Sequence, residues 1–210
     1  MKTYHGQGRP LLIYGAGGHG WVVADAAHNA GWHILGFIDD TPNGDRVGDW
    51  PVFQRDVLDK PDLDARIIVA IGDNPLRRRI CFDMAKRGRL LATIVHPTAA
   101  VSDFATLGEG VYVGPNAAVN AQAVVGDGAI INSGAVVEHH CRVGPYAHIA
   151  PKAAIGGEVT VGELTLLGVG VSVRPKITIG SNCTVGVGAA IVKDVPDNRT
   201  VVGVPGSALL

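Results

Sequence analysis

Neither sign of charge dominates this chain of 210 residues: 18 Lys and Arg stand against 19 Asp and Glu, for a formal net charge of −1. That leaves no electrostatic footprint for nucleic acid or for an anionic membrane, and neither partner is expected. Charge of either sign is also sparse, at 18% of residues. No apolar run approaches the ~20 residues that a membrane-spanning helix requires. The polar stretch from Met1 to Pro10 offers no hydrophobic leader. Cysteine is scarce too. Cys81, Cys141 and Cys183 form no CxxC pair. Buried, reduced thiols in a cytoplasmic protein are expected, with no disulfide framework and no metal site.

Glycine, by contrast, is abundant at 29 residues, and the aliphatic residues are strictly ordered. From Val95 to Ile191 one of them occupies every sixth position without a miss, beginning Val95, Val101, Leu107, Val113 and Val119. Four residues after each comes a second, mostly small register, beginning Ala99, Ala105, Val111, Ala117 and Ala123. Neither a helix nor an ordinary strand has a period of six. A fixed short period predicts a solenoid. Each hexad is one flat side, with the aliphatic residue inward and the small one at the corner. Three sides close a triangular coil of about 18 residues, and coils stack at ~4.8 Å. Gly follows many of the aliphatics, as in Leu107-Gly108, Val125-Gly126 and Val143-Gly144. It is expected there for the backbone freedom of a tight corner. The period leaves the hand of the coil open.

Residues 11–94 lack the hexad and read as alternating strand and helix. Strands are expected at 11–14, 33–38, 66–71 and 90–95, and helices at 21–30 and 76–87. Residues 41–65 read as loop with one short element. The result is a small open parallel sheet covered by helices, in an α/β domain of residues 1–94 ahead of an all-β domain of residues 95–210. Gly15-Ala16-Gly17-Gly18-His19-Gly20 follows a strand and opens a helix. Acids come about 20 residues later, the context a dinucleotide fingerprint needs. Backbone N–H groups at that helix start can hold a diphosphate. Asp39 or Asp40 can accept from ribose or base. Three readings stay open: a nucleotide-linked ligand, NAD, or a turn that merely packs a helix on a sheet. The domain has room for one mononucleotide half, and no domain for hydride transfer follows it, which favours the first.

The Gly-x-Gly-Gly-His-Gly loop, an Ile71-Gly72-Asp73-Asn74 segment and the unbroken hexads together resemble one family closely. It is the sugar O/N-acetyltransferases of sialic-acid and bacillosamine synthesis, a subfamily of the hexapeptide-repeat acyltransferases. The resemblance covers about residues 11–205. It implies a Rossmann-like N-terminal domain that binds a nucleotide-linked amino sugar. It also implies a left-handed parallel β-helix that binds acetyl-CoA, and a cytoplasmic homotrimer with sites between subunits, working in glycan biosynthesis. By the same resemblance Gly17, Gly18 and His19 meet phosphates and sugar, Asp39 and Asp40 meet ribose and base, and Gly72 lines that pocket.

The resemblance further makes His139, in the segment Asn132 to Cys141, the general base. An imidazole suits proton removal near neutral pH. A glycine N–H at the corner one coil on, Gly156 or Gly157, is expected to steady the oxyanion. Where the family usually has an acid after the base, this chain has His140, with Glu138 on the other side. A neutral neighbour is not expected to raise the basicity of His139, and a protonated one would lower it. His148 aligns with a residue near the thioester and is expected to reach outward from a corner. Val169 and Val187 match positions along the pantetheine chain. Lys152, Arg174, Lys176, Lys193 and Arg199 are candidates for the CoA phosphates. The function implied is N-acetylation of a nucleotide-linked amino sugar by direct transfer. The alternatives are O-acetylation of a sialic-acid-type sugar and a non-catalytic nucleotide-sugar binding protein.

Overall fold

The structure, a computed structural model, describes residues 4, 6–60 and 62–208; part of the stretch 1–10 read above as leaderless lies outside the described residues. The chain opens with β1 (Pro10–Tyr14), α1 (Gly18–Asn29) and β2 (His33–Ile38). A short hairpin, β3 (Arg46–Val47) and β4 (Trp50–Phe53), follows, with a 3-10 turn at Arg55–Asp59. Then come β5 (Arg66–Val69) and α2 (Asn74–Lys86). The sheet order is β3-β4-β2-β1-β5. All neighbours are parallel except β3 and β4. Residues 41–65 thus hold three short elements where one was expected, because Gly48 takes a φ of 58° and closes the hairpin. Both helices begin earlier than the apolar pattern suggests. In α1 the start is set by Gly17. In α2 the Asp73 carboxylate caps the Leu76 N–H at 2.7 Å, with proline in the first turn.

From Ile94 the chain winds into a triangular prism of two-residue strands. The first face is the ladder from Ile94–Val95 to Thr184–Val185, continued by Thr200–Val202 and closed by the antiparallel Ser207–Ala208. The second runs from Ala100–Val101 to Ala190–Ile191, and the third from Thr106–Leu107 to Thr178–Ile179. Each strand pairs in parallel with the strand one coil on, Ile130 with His148 and Val136 with Ala154. Both registers point into the core: Val113, Val137 and Ile149 are fully buried, and so are Ala105, Ala135 and Cys141. The small residues therefore fill the interior beside the aliphatics. Ala105, Ala135 and Cys141 each come directly after the two-residue turn of their corner, with the side chain inward.

The glycines after the aliphatics have a different task from the one expected. Their φ angles are ordinary. A Cβ on Gly126 would lie 2.6 Å from the Pro145 nitrogen, and one on Gly144 would lie 2.6 Å from the Glu163 nitrogen. Each sits beneath the backbone of the next coil, so close approach is what requires glycine. The left-handed corner residue comes two positions later. There Gly110 and Gly128 alternate with Asn116, His140 and Lys152, all with φ between 57° and 66°.

Candidate active site

The glycine loop sits where β1 ends and α1 begins. Gly15 has φ 112°, and a Cβ on Gly20 would lie 2.1 Å from the Gly15 oxygen, so these two shape the turn and seat the helix on it. Gly17 and Gly18 have nothing within 4 Å of where a Cβ would be. The first turn of α1 carries no side-chain cap and no acid, so its N–H groups face open space with the positive end of the helix dipole. Asp39 takes the Ala16 N–H on one oxygen and the Thr41 N–H on the other, both at 2.9 Å. Asp40 accepts from the Tyr14 hydroxyl at 2.8 Å and pairs with Arg55 at 2.7 Å. Both carboxylates brace the rim of the loop, and each oxygen keeps a second acceptor position. A depression of about 200 Å³ joins Ala16, Gly17 and Asp39. A cleft of about 1240 Å³ runs from Asp40 and Arg55 to Arg78, Arg79 and Phe82. It touches only Asp40 among the expected site residues.

Two residues to which the sequence reading gave no role, Arg77 and the Asn74 of the Ile71-Gly72-Asp73-Asn74 segment, join the domain to the prism. Arg77, 1% exposed, donates to the carbonyls of Ile71, Gly128 and Tyr146 at 2.7–2.8 Å and to Asn74 Oδ1 at 2.7 Å. Asn74 in turn donates to the Leu164 carbonyl at 2.9 Å. A basic helix looks like a solvated one, and nothing local marks the single arginine that the prism covers. Burial lowers its pKa to about 10, which leaves it charged at neutral pH.

Beside this joint lie Gly72, His19 and His148. The His19 ring is 5.5 Å from Tyr112 and 6.5 Å from His148, centroid to centroid. Its Nε2 is buried and unpartnered, as is the Tyr112 hydroxyl. His148 does not reach outward from a corner. It lies in the strand His148–Ile149 of the first face, beneath the N-terminal domain. Asn132 accepts the Ser133 N–H on Oδ1 at 2.8 Å, so its amide nitrogen donates to His148 Nε2 at 3.0 Å. The other ring nitrogen then carries the proton and bonds the Gly72 backbone. Burial, with the Arg77 charge second, lowers both histidines to about 4, so both are neutral.

His139 is elsewhere. It occupies the corner Glu138-His139-His140 between the second and third faces, the edge opposite the face that carries His148. Its ring lies against Gly157, one coil on: a Cβ there would be 2.5 Å from both Cε1 and Nε2. Other corner N–H groups are taken by side chains, that of Glu109 by Asp127, that of Ser181 by Asp197 and that of His139 by Glu138. Among the described residues the Gly157 N–H has no such acceptor. His139 Nδ1 and His140 Nδ1 are 3.2 Å apart with the rings near perpendicular, at 85°. One of the two nitrogens carries a proton and the other accepts it. A neutral His140 that accepts from the His139 Nδ1–H can therefore hold the His139 ring in one tautomer, the part a carboxylate would otherwise play. Val169 and Val187 stack on the edge after the first face, 45% and 77% exposed, joined through the Gly188 N–H and the Val169 carbonyl. Lys176 pairs loosely with Glu158 at 3.8 Å.

Residues 10–84 match the model of the PglD N-terminal domain, and residues 104–139 and 122–157 match the bacterial transferase hexapeptide model of six repeats. A histidine-to-asparagine mutant of perosamine N-acetyltransferase from Caulobacter crescentus, solved with CoA and GDP-perosamine, is 40% identical, with a TM-score of 0.91. The match covers 96% of this chain and 97% of that one. The chain belongs to the nucleotide-sugar N-acetyltransferase subfamily of the hexapeptide-repeat acyltransferases. Another member of the subfamily is the acetyltransferase domain of PglB from Neisseria gonorrhoeae FA1090, solved with acetyl coenzyme A. It is 39% identical, covering 96% of this chain and all of that one, with a TM-score of 0.91. WeeI from Acinetobacter baumannii AYE is 25% identical over the same shares, with a TM-score of 0.89. The two-domain architecture of the subfamily, a Rossmann-like domain and a left-handed parallel β-helix, is that of this chain, and the chain is an acetyltransferase.

Proposed function

We propose that the protein transfers the acetyl group of acetyl-CoA directly to the amine of a nucleotide-linked amino sugar, with His139 as general base. The observation that carries this reading is the His139 ring packed on Gly157, whose N–H has no acceptor among the described residues. Residues 1–94 hold the nucleotide sugar. The diphosphate lies at Gly17 and Gly18 on the α1 N-terminus, ribose and base lie toward Asp39 and Asp40, and the sugar runs toward Gly72 and His19. Residues 95–210 hold acetyl-CoA, with the pantetheine chain along Val169 and Val187.

In the reaction the amine attacks the thioester carbonyl and loses its proton to His139 Nε2. The Nδ1–H of His139 donates to His140 Nδ1 throughout, which keeps Nε2 free as acceptor. The Gly157 N–H donates to the developing oxyanion. The tetrahedral intermediate then collapses, the C–S bond breaks, and the CoA thiolate leaves and is protonated. An acyl-enzyme finds no support. Cys141, the cysteine next to this corner, is buried with its thiol pKa pushed up by desolvation.

His139 and the His19–His148 face lie on opposite sides of one prism, so a whole site calls for two chains. A homotrimer supplies three such junctions. We place the reaction in the cytoplasm, where the three free thiols stay reduced. The deciding assay is thiol release from acetyl-CoA against UDP-, GDP- and dTDP-linked 4-amino sugars and free sialic acid. Release with one nucleotide amino sugar, abolished in His139→Asn, is expected. Release with sialic acid alone would make the enzyme an O-acetyltransferase, and wild-type turnover in His139→Asn would refute the base.

A further inference from the structure

Cys141 is fully buried in the prism core directly beneath the corner that carries Gly157. Its Sγ–H donates to the Gly156 carbonyl at 3.1 Å, and its sulfur faces the Val159 N–H. Those are the two groups that would bond each other to close the Gly156–Val159 turn. Such bonds do close the turns of other corners, from Ala147 to Gly144 and from Ala153 to Ala150. Here the thiol stands between the two groups as a wedge. Among the described residues threonine builds the same device twice, and Cys183 repeats its carbonyl half by donating to the Pro196 carbonyl at 3.1 Å. Thr93 donates to the Gly108 carbonyl at 2.7 Å and accepts from Val111 at 3.4 Å. Thr165 donates to the Gly180 carbonyl at 2.7 Å and accepts from Cys183 at 3.0 Å. Among the described residues only the Cys141 wedge lies under the edge with His139.

We propose that Cys141 is a positioning residue for the acetyl-transfer step: by holding the Gly156 carbonyl inward it aims the Gly157 N–H out of the prism toward the reacting carbonyl. The link is the peptide plane. The Gly156 C=O and the Gly157 N–H belong to one trans peptide and point in opposite directions. Fixing the first on the buried thiol fixes the second beside the His139 ring. The thiol stays protonated and forms no bond to substrate. This inference rests on the role proposed for Gly157 and adds the residue that sets its direction.

The test compares Cys141→Ala, Cys141→Thr and Thr165→Ala. In Cys141→Ala the wedge is lost and the turn can close on itself, so kcat is expected to fall roughly 10–100-fold, the scale of a misaimed oxyanion donor, with KM for both substrates within about twofold. Cys141→Thr supplies the hydroxyl this fold already uses at the same register and should restore kcat to within about threefold of wild type. Cys141→Ser stands in should the added methyl crowd the core. Thr165→Ala loses the same wedge under a different edge and should lower Tm comparably while leaving kcat unchanged. Wild-type kcat in Cys141→Ala, no rescue by either hydroxyl, or an equal loss of kcat in Thr165→Ala would overturn the proposal. A crystal structure of Cys141→Ala provides a readout free of turnover. The Gly156 carbonyl should accept from Val159 and the Gly157 peptide should rotate, and an unmoved peptide would refute the wedge whatever the activity. Were the wild type to release no thiol, the functional reading would fail, and that structure would still decide the point.

Discussion

Gly157→Ala isolates the contact on which the proposed chemistry depends. The added methyl would lie 2.5 Å from His139 Cε1 and Nε2. Ordinary carbon contacts begin near ~3.5 Å, so the imidazole must retreat by about 1 Å. Folding should barely register this. The ring is exposed and free to swing, and Gly157 does not have a left-handed φ. Replacing glycine by alanine at a compatible site even gains ~0.4–1 kcal/mol by restricting the unfolded chain. Catalysis should register it strongly, because a displacement of about 1 Å costs on the order of 100-fold, or ~2.7 kcal/mol of activation free energy. Steady-state thiol release and calorimetry on the same sample separate the two effects. Tm should hold or rise slightly, KM should hold, and kcat should drop about 100-fold. Wild-type kcat would show that the His139–Gly157 contact is not where acetyl transfer occurs. A Tm loss that matches the activity loss would assign the glycine to folding alone.

Arg77→Leu leaves the Gly128, Tyr146 and Ile71 carbonyls without their donor. It should destabilise by ~3 kcal/mol or more in urea denaturation, and Arg77→Lys should not rescue it, since one ammonium cannot span the fork; a loss under ~1 kcal/mol would contradict the latch. Stability should also depend on pH. His19 and His148 have native pKa values near 4, below the 6.5 of the unfolded chain, so the unfolded state binds more protons between pH 6.5 and 4. The stabilisation is complete above that window and is lost as pH falls through it, by up to ~3 kcal/mol per histidine. Tm measured from pH 7.5 to 4.5 should fall, and His19→Gln with His148→Gln should flatten the slope; an unchanged slope would mean that other groups titrate.

The prism was legible because its rule is local and strict: one aliphatic residue in six, with a small partner four positions on, leaves a stacked coil as the packing solution. The corner proposed as catalytic was named from the segment around His139, through the family resemblance. The purpose of the glycines was misread, because crowding by the next coil depends on a chain segment 18 residues away and a single hexad does not reveal it. The joining roles of Arg77 and Asn74 were missed for a related reason. Their partners, from Gly128 to Leu164, lie across a domain joint that no pattern in α2 announces. The stance of His140 also escaped the sequence. At a corner with a left-handed φ of 59° its Nδ1 lies 3.2 Å from that of His139, so a residue that looked like a poor substitute for an acid stands within hydrogen-bond reach of the neighbouring ring.

In the proposed homotrimer, the opposite placement of His139 and the α1 face would make each chain a donor of two unlike halves. Two dead proteins should therefore revive one another. His139→Ala spoils the edge and spares the face. Gly18→Asp, at a position with nothing within 4 Å, spares the edge and sets a carboxylate where the diphosphate would sit. Unfolded, mixed in equal amounts and refolded together, their subunits would sort at random into threefold rings, and every mixed ring would contain one junction built from two sound halves. About a quarter of wild-type activity should then return from partners that have none.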